Sequence, residues 1–179
     1  MVGDPRTSNA GRLQLCSVRL EDEEVVLAAH RTMAEEGFVF AIGYQPGLAW
    51  VDYVAGLENY RRGRDIPAGF VPATFRLAVV DGDVVGRASI RHGLNEFLAR
   101  EGGHIGYCVL PAFRRRGYAT EILRQSLTIA RDVGVDRVLV TCDDDNIGSA
   151  TVIERCAGLF ESLTENSEGG APKRRYWIG

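Results

Sequence analysis

The sequence predicts a mixed α/β fold in which one sheet carries helices on its faces. Strand and helix periodicities follow one another along the chain in the order β-α-α-β-β-β-α-β-α-β-β. The second half places a strand, a helix and a strand in succession, as a crossover connection requires. The 179 residues are 45% hydrophobic and 25% charged, which suffices for a core and excludes a disordered or collagen-like chain.

The N-terminal part of the chain predicts a strand and two helices. Residues 1–11 are polar and predict a flexible tail before a single domain over residues 12–179. Alternation over residues 13–20 predicts the first strand. An acidic run then begins a helix that ends near Gly37, because negative charge stabilises a helix N-terminus. Apolar side chains three and four residues apart predict a second helix over residues 48–62.

The middle of the chain predicts a β-hairpin and a further strand. Residues 75–80 and 84–90 flank an Asp-Gly-Asp sequence that is typical of a tight turn. Residues 94–100 form a short link with helical character. The mostly apolar run 103–110 predicts the next strand, which the following proline ends.

The last third of the chain predicts two helices and three strands. Residues 116–133 carry apolar side chains on one helical face, and Gly134 follows as a C-terminal cap. The remaining elements are a strand over 137–142, a helix over 146–156, and closing strands over 159–163 and 173–178.

The charge balance excludes several classes of partner. The chain has 21 basic and 24 acidic residues and a net charge of −3, so no general attraction to nucleic acid or an anionic membrane is expected. Lys173 is the sole lysine, which excludes a P-loop, and no Gly-x-Gly-x-x-Gly dinucleotide fingerprint is present.

The cysteines predict buried side chains rather than a metal or disulfide site. They are far apart and lack Cys-x-x-Cys spacing, so no metal is expected. The four are Cys16, Cys108, Cys142 and Cys156. No segment resembles a signal peptide or a membrane span, so we expect a cytoplasmic protein.

The segment 111–120, with the sequence PAFRRRGYAT, is the most informative part of the chain. It joins the end of a strand to an amphipathic helix, whose free N–H groups and dipole form an anion site. Gly117 and Ala119 allow a ligand to approach the backbone, the three arginines add positive charge, and Thr120 adds a hydroxyl. This pattern fits a pyrophosphate better than a single carboxylate. The alternative is a solvated basic helix entrance.

The run from Arg114 to Ala119, RRRGYA, resembles the [Q/R]-x-x-G-x-[G/A] signature of the GNAT superfamily of acyl-CoA-dependent N-acyltransferases. The preceding Val-Leu-Pro and the later segment from Asn146 to Gly158 also resemble the family. The runs from Ile90 to Asn95 and from Gly102 to Tyr107 resemble a bacterial subgroup of predicted acetyltransferases. The resemblance implies a single domain with a twisted, mostly antiparallel sheet of about six to seven strands, splayed in the middle and covered by about four helices.

The same resemblance implies where acetyl-CoA binds. It would lie in a V-shaped opening between the strands ending at Leu110 and Cys142, with its pyrophosphate on segment 114–120. Its pantetheine arm would pair with the first of these strands, while Asn146 would bind the arm from the other side or serve simply as a helix N-cap. The residues implied in cofactor binding are Cys108, Val109, Leu110, Arg114, Arg115, Arg116, Gly117, Tyr118, Ala119, Thr120, Asn146 and Ser149.

The chain departs from the family at two catalytic positions. Gly103 stands where many members carry a glutamate base, and Ile153 stands where many carry a tyrosine acid. The nearest replacements for the base are His104 and Glu101, and Tyr107 is a candidate acid. The alternative roles for these three are a structural hydrogen bond, a solvated loop carboxylate and a core aromatic residue.

The resemblance implies an N-acetyltransferase that moves an acetyl group directly from acetyl-CoA to a primary amine of a small molecule or peptide. The two vacant catalytic positions favour an alternative, an inactive acyl-CoA-binding module, and a purely structural protein is the third possibility. The acceptor could be a free amino acid, an aminoglycoside-like antibiotic, a polyamine or a protein N-terminus, and a homodimer is common in the family.

The early helices are expected to supply the acceptor pocket. Its candidate residues are Tyr44, Gln45, Trp50, Tyr53 and Tyr60, although aromatic side chains on one helix face are also typical of a core. The acidic run 143–145 predicts a polar loop, or a surface that attracts a cationic amine.

Overall fold

In the computed structural model, which describes residues 12–167 and 169–179, seven strands form two antiparallel sheets. The tail predicted over residues 1–11 lies outside the described residues. The strands are β1 (Gln14–Cys16), β2 (Ala73–Val80), β3 (Asp83–Arg91), β4 (Ile105–Val109), β5 (Val138–Asp143), β6 (Leu159–Thr164) and β7 (Lys173–Ile178). The first sheet has the order β1-β2-β3-β4 and the second the order β5-β7-β6. The predicted sheet is therefore divided in the middle, between β4 and β5.

The hairpin of β2 and β3 forms the two central strands of the first sheet. Its two-residue turn has positive φ at both positions, +50° at Asp81 and +91° at Gly82, which is the geometry that matches the twist of paired strands. The register places Thr74 opposite Ile90, and the alternation slips once at a bulge near Ala78. The prediction of this hairpin from the sequence is confirmed.

Four α-helices pack against the two sheets. They are α1 (Glu23–Ala34), α2 (Trp50–Arg61), α3 (Tyr118–Asp132) and α4 (Ile147–Arg155). The helices α1 and α2 form one core with β2, through side chains such as Met33 and Leu77. The helices α3 and α4 form the other, in which Ile122 and Ile153 meet β3 and β5. The mixed α/β architecture follows the prediction.

Several elements are shorter than their periodicity predicts, and each has a local cause. β1 spans only the three residues that pair with Leu77–Val79 of β2, and a 3₁₀ turn, Leu20–Asp22, precedes α1. Its outer edge is closed by the side chain of Gln125, which accepts from Leu15 N (3.1 Å) and donates to the Leu13 carbonyl (2.8 Å). α3 begins at Tyr118 because Gly117 adopts a left-handed conformation.

Cys16, Cys108 and Cys142 are buried as predicted, and Cys156 is half-buried. Within the described ranges, no helix is long and apolar enough to cross a membrane.

Candidate active site

The two sheets are joined at one end of β4 and β5. The backbone N–H of His104 donates to the Leu139 carbonyl (2.7 Å), and Leu139 N donates to Nδ1 of His104 (2.9 Å). Thr141 adds a third bond, from its hydroxyl to the Glu101 carbonyl (2.6 Å). Beyond this junction, β4 and β5 have no ladder between them in the described part of the chain. The strands therefore leave an opening whose closed end lies at His104.

The entrance of α3 lies beside this opening and presents a concave backbone. Gly117 has φ of +82° and Arg115 has φ of +65°, and both are left-handed. No atom lies within 4 Å of the place where a Gly117 Cβ would stand. Among the described residues, the backbone N–H groups of residues 115–120 have no backbone acceptor, and no side chain caps the helix. These N–H groups and the helix dipole suit a pyrophosphate.

The three arginines of this segment differ in their contacts. Arg114 donates to the Glu36 carboxylate (3.0 and 2.5 Å) and, through Nε, to the Val109 carbonyl (3.1 Å). Arg116 donates to the Ala112 carbonyl (3.1 Å). Arg115 is exposed and has no hydrogen bond or ion pair with a described residue. The pairing of Arg114 with a carboxylate weighs against its adding charge to a phosphate site, and the role of the three arginines there stays a prediction.

The end of β4 offers a free edge to the opening. Leu110 N donates to the Val85 carbonyl of β3 (2.9 Å), so the N–H and C=O of the preceding residue, Val109, point away from β3. Val109 and Cys108 are buried, and Arg114 Nε donates a hydrogen bond to the Val109 carbonyl. An extended ligand arm that paired with this edge would displace Arg114.

Tyr107 and Ser149 meet across the opening. The Tyr107 hydroxyl lies 2.9 Å from the Ser149 Oγ, and both residues are half-buried. Burial raises the pKa of Tyr107, so its hydroxyl stays protonated. Asn146 accepts from Ser149 N (3.0 Å) and caps α4, which leaves its amide nitrogen available. The structure thus brings together a predicted acid and two predicted cofactor residues.

The backbone and the ring of His104 both form hydrogen bonds with Leu139 at the junction between the sheets. Because its Nδ1 accepts from Leu139 N, a neutral ring carries its proton on Nε2 and has no free nitrogen lone pair for an incoming amine. Burial, helped by the charge of Arg91, lowers the pKa of His104 and favours that neutral form. The contacts support the structural hydrogen bond, and a role for His104 as base stays a prediction.

Glu101 lies in a π-helical turn, Leu98–Gly102, with its side chain only 2% exposed. Its Oε2 accepts from Ser167 N (3.0 Å) and Oγ (2.9 Å), and its Oε1 accepts from Arg100 (2.7 Å). The backbone N–H of Ser167, with Arg100, lowers the pKa of Glu101. The interpretation of Glu101 as a solvated loop carboxylate is therefore wrong. Both oxygens have donors, which weighs against its predicted role as a base.

The two positions at which the chain departs from the family are closed to polar side chains. Gly103 has φ of +62°, and its Cβ would stand 2.7 Å from the Leu139 carbonyl oxygen at the sheet junction. Ile153 is fully buried in the core of α3 and α4. Neither position could therefore hold the family's base or acid without rearrangement.

Gly103→Ala is expected to lower the free energy of unfolding by about 2–4 kcal/mol, because it adds a backbone clash to left-handed strain. Urea denaturation measures this loss. Gly47→Ala is the matched control, because Gly47 also has a positive φ (+90°) but no atom within 4 Å of its Cβ position. The control is expected to lose about 1–2 kcal/mol. Equal losses of unfolding free energy in the two variants would contradict a close contact between position 103 and the Leu139 carbonyl.

The predicted acceptor residues lie in and around the core of α1 and α2. Trp50 and Tyr53 are buried with their ring centroids 5.0 Å apart, and Tyr44 packs edge-on against Tyr53 (5.5 Å). Tyr60 packs against Phe70. The last candidate, Gln45, is exposed. For Trp50 and Tyr53 the structure supports the alternative of core aromatic residues.

The acidic run 143–145 forms ion pairs with β7. Asp143 pairs with Lys173 (2.5 Å), and Asp144 pairs with Arg174 (2.6 Å). This pairing supports a polar loop rather than a surface for a cationic amine. Residues 12–167 and 169–179 contain no group of three or more His, Cys, Asp or Glu side chains that could hold a metal ion.

Comparison with known proteins gives one family and many similar folds. The sequence pattern of the acetyltransferase (GNAT) domain matches residues 12–158. No curated protein matches the sequence. A GnaT-family protein of Bordetella pertussis is 19% identical and has a TM-score of 0.65, with 96% of this chain and 98% of that chain covered.

Similar folds have also been solved with a coenzyme bound. The protein yncA of Salmonella typhimurium, solved with its cofactor acetyl-CoA, is 13% identical with a TM-score of 0.63, over 95% of this chain and 94% of that chain. RimL, a ribosomal L7/L12 α-N-protein acetyltransferase in complex with coenzyme A, is 19% identical with a TM-score of 0.62, over 97% and 96% of the two chains. At these identities the likeness shows a shared fold.

Proposed function

This chain belongs to the GNAT acetyltransferase family, and we propose from that premise that it transfers an acetyl group directly from acetyl-CoA to a primary amine. The observation that carries the proposal is the opening between β4 and β5, with unpaired N–H groups of residues 115–120 at its side. A thioester of coenzyme A has the pyrophosphate and the extended amide arm that these two features suit.

Three parts of the chain bind different parts of acetyl-CoA in this proposal. The N–H groups of 115–120 hold the pyrophosphate, and the exposed side chain of Arg115 adds positive charge. The N–H and C=O of Val109 pair with the pantetheine arm after Arg114 releases the carbonyl. The amide nitrogen of Asn146 binds the arm from α4. When bound, acetyl-CoA supplies an acetyl thioester that is activated toward amines.

Tyr107 supplies the acid in this proposal. As the amine nitrogen bonds to the thioester carbonyl carbon, the C–S bond breaks and the sulfur takes the proton of the Tyr107 hydroxyl. Ser149, 2.9 Å away, donates to the tyrosinate oxygen that remains. The proton lost by the amine nitrogen returns to Tyr107 through solvent. Because His104 has no free nitrogen lone pair and both Glu101 oxygens already accept hydrogen bonds, we assign no side-chain base, and the amine reacts in its neutral form.

A second candidate function is supported by Gly103 and Ile153, since neither position has room for a polar catalytic side chain. A chain that keeps the opening but lacks the family's base and acid could bind acyl-CoA without turnover. The two functions differ in whether an amine stimulates the release of the coenzyme A thiol.

The test uses the full chain, acetyl-CoA and a panel of primary amines, with thiol release as the readout. We expect at least one amine to stimulate release and to appear as its N-acetyl product. Binding of acetyl-CoA by calorimetry, with no amine-dependent release across the panel, would overturn the proposed transfer and favour the binding module.

A further inference from the structure

Two arginines of β3 converge on one glycine of β4. A Cβ at Gly106 would stand 3.6 Å from Nη2 and 3.8 Å from Nη1 of Arg91, and 3.8 Å from Nη1 of Arg87. Arg87, Arg91 and Gly106 lie on the face of the sheet that α1 and α2 cover, with Cys108 two residues further along β4. Arg87 is 4% exposed, whereas Arg91 and Gly106 are half-buried. The two guanidinium groups therefore pack over Gly106, and Arg91 and Gly106 keep part of their surface exposed.

Neither guanidinium has a countercharge among the described residues. Arg87 donates to the carbonyls of Gly106 (3.2 Å) and Val39 (2.9 Å), and Arg91 donates through Nη1 to those of Gly102 (2.9 Å) and Gly103 (3.0 Å). All four acceptors are neutral. Burial, together with the charge of Arg87, lowers the pKa of Arg91 to about 10. A buried and a half-buried guanidinium side by side without a carboxylate are costly, so the site is incomplete as it stands.

Two donors at this site are buried without a hydrogen-bond partner. In the part of the chain that the structure describes, these are Nε of Arg87 and the hydroxyl of Tyr53. Burial raises the pKa of Tyr53, so its hydroxyl stays a neutral donor. The rings of Phe38 and Phe75 lie 4.7 and 5.9 Å from the Arg87 guanidinium and hold it in place. Unpaired buried donors around a double positive charge indicate a missing acceptor of negative charge.

We propose that Arg91, with the charge of Arg87 beside it, binds a carboxylate of the acceptor, so that the substrates are amino acids or other amines that carry a carboxylate near the amino group. This inference rests on the proposed acetyl transfer. Arg91 Nη2 donates to the carboxylate, and Arg87 acts as a positioning residue that adds charge and holds Gly106 and Val39 in place. Gly106 lies about 7 Å along the strand from Cys108, which puts the amino group of a bound amino acid beside the β4 edge.

The same charges select among the four kinds of acceptor that the family resemblance left open. Polyamines and aminoglycosides are polycations and are repelled by two uncompensated guanidinium groups. A protein N-terminus has no fixed negative charge next to its amino group. A free amino acid carries its carboxylate one carbon from the amine, which matches a single anion site beside the transfer position.

The test compares acceptors with and without a carboxylate, and the glycine and leucine series are matched in the rest of the molecule. Glycine, leucine and glutamate are assayed against glycinamide, leucinamide, 3-methylbutylamine and spermidine, with kcat/KM from thiol release. We expect the amino acids to exceed the uncharged or cationic acceptors by about 100-fold or more, because a desolvated ionic contact discriminates strongly. In Arg91→Gln, this preference is expected to fall to about tenfold or less while the affinity for acetyl-CoA is unchanged. Arg124→Gln, an exposed arginine of α3, is the control and is expected to keep the full preference.

A second measurement separates this inference from the proposed function. Calorimetry with coenzyme A present compares the binding of N-acetylleucine and N-acetylleucinamide to the wild-type chain, which needs no turnover and no variant. Tighter binding of N-acetylleucine supports the carboxylate site even if no acceptor is acetylated, in which case the proposed transfer alone fails. Equal binding of the two, or turnover of spermidine and amides at the rate of amino acids, overturns the carboxylate site and leaves acetyl transfer standing.

Discussion

Gly117→Glu is expected to weaken the binding of acetyl-CoA by at least about 100-fold. The Cβ of residue 117 would stand in the open concavity that the N–H groups of 115–120 face. A glutamate there places a negative charge beside the pyrophosphate, and two unit charges 4 Å apart near a protein surface interact by about 4 kcal/mol. A 100-fold loss corresponds to about 2.8 kcal/mol, well within that repulsion. Calorimetric titration of acetyl-CoA measures the affinity.

Gly134→Glu is the matched control for this substitution. Gly134 lies just beyond the other end of α3, with φ of +86° and no atom within 4 Å of its Cβ position, so the backbone strain is the same. We expect its affinity for acetyl-CoA to stay within about twofold of the wild type, because it lies a helix length of about 22 Å from the entrance. Similar losses in the two variants would mean that strain, and not the phosphate site, causes the effect.

Tyr107→Phe is expected to lower kcat by about 100-fold with little change in the affinity for acetyl-CoA. The substitution keeps the ring in its half-buried place and removes the one proton that the proposal gives to the thiolate; such general-acid steps contribute about 10²–10⁴-fold. Ser149→Ala removes the partner hydroxyl and is expected to lower kcat by about tenfold, because the phenol itself remains. Steady-state thiol release and calorimetry separate the two quantities.

Tyr176→Phe is the control for the loss of a phenol. Tyr176 also bonds α4 through its hydroxyl, to Glu154 at 3.1 Å, but it lies in the core behind the opening. Its kcat is expected to stay within about twofold of the wild type. If Tyr107→Phe kept the kcat of the wild type, Tyr107 would not be the acid, and the thiolate would take its proton from solvent.

The features that could be predicted from the sequence are those encoded by near neighbours in the chain. The hairpin follows from alternation around an Asp-Gly turn, and the entrance of α3 follows from Gly117 before an amphipathic run. The order of elements was sufficient to predict the α/β architecture, because the hydrophobic periodicity of each element depends only on residues that are close together in the chain. The resemblance to the GNAT signature was sufficient for the family, because the same turn carries that signature.

The contacts that decide the role of each site residue are long-range and have no local signal. Arg114 pairs with Glu36, 78 residues away, and Glu101 is enclosed by Ser167, 66 residues away. Tyr107 meets Ser149 over 42 residues, through the packing of α4 beside β4. Periodicity records which face of an element is buried, but it does not record which distant side chain meets that face. For the same reason the sequence left open whether His104 acts as a base or forms a structural hydrogen bond, and its bond from Leu139 N supports the second.

The most direct test of acetyl transfer follows the acetyl group itself. The full chain is incubated with acetyl-CoA, first without and then with an acceptor amine, and the protein and the amine are examined by mass spectrometry while thiol release is recorded. We expect an unmodified protein and no stoichiometric thiol release without acceptor, and one N-acetyl product per thiol released once the amine is added. An acetylated protein that accumulates before the amine is added, or tight binding of acetyl-CoA with no acetylated amine, would contradict direct transfer.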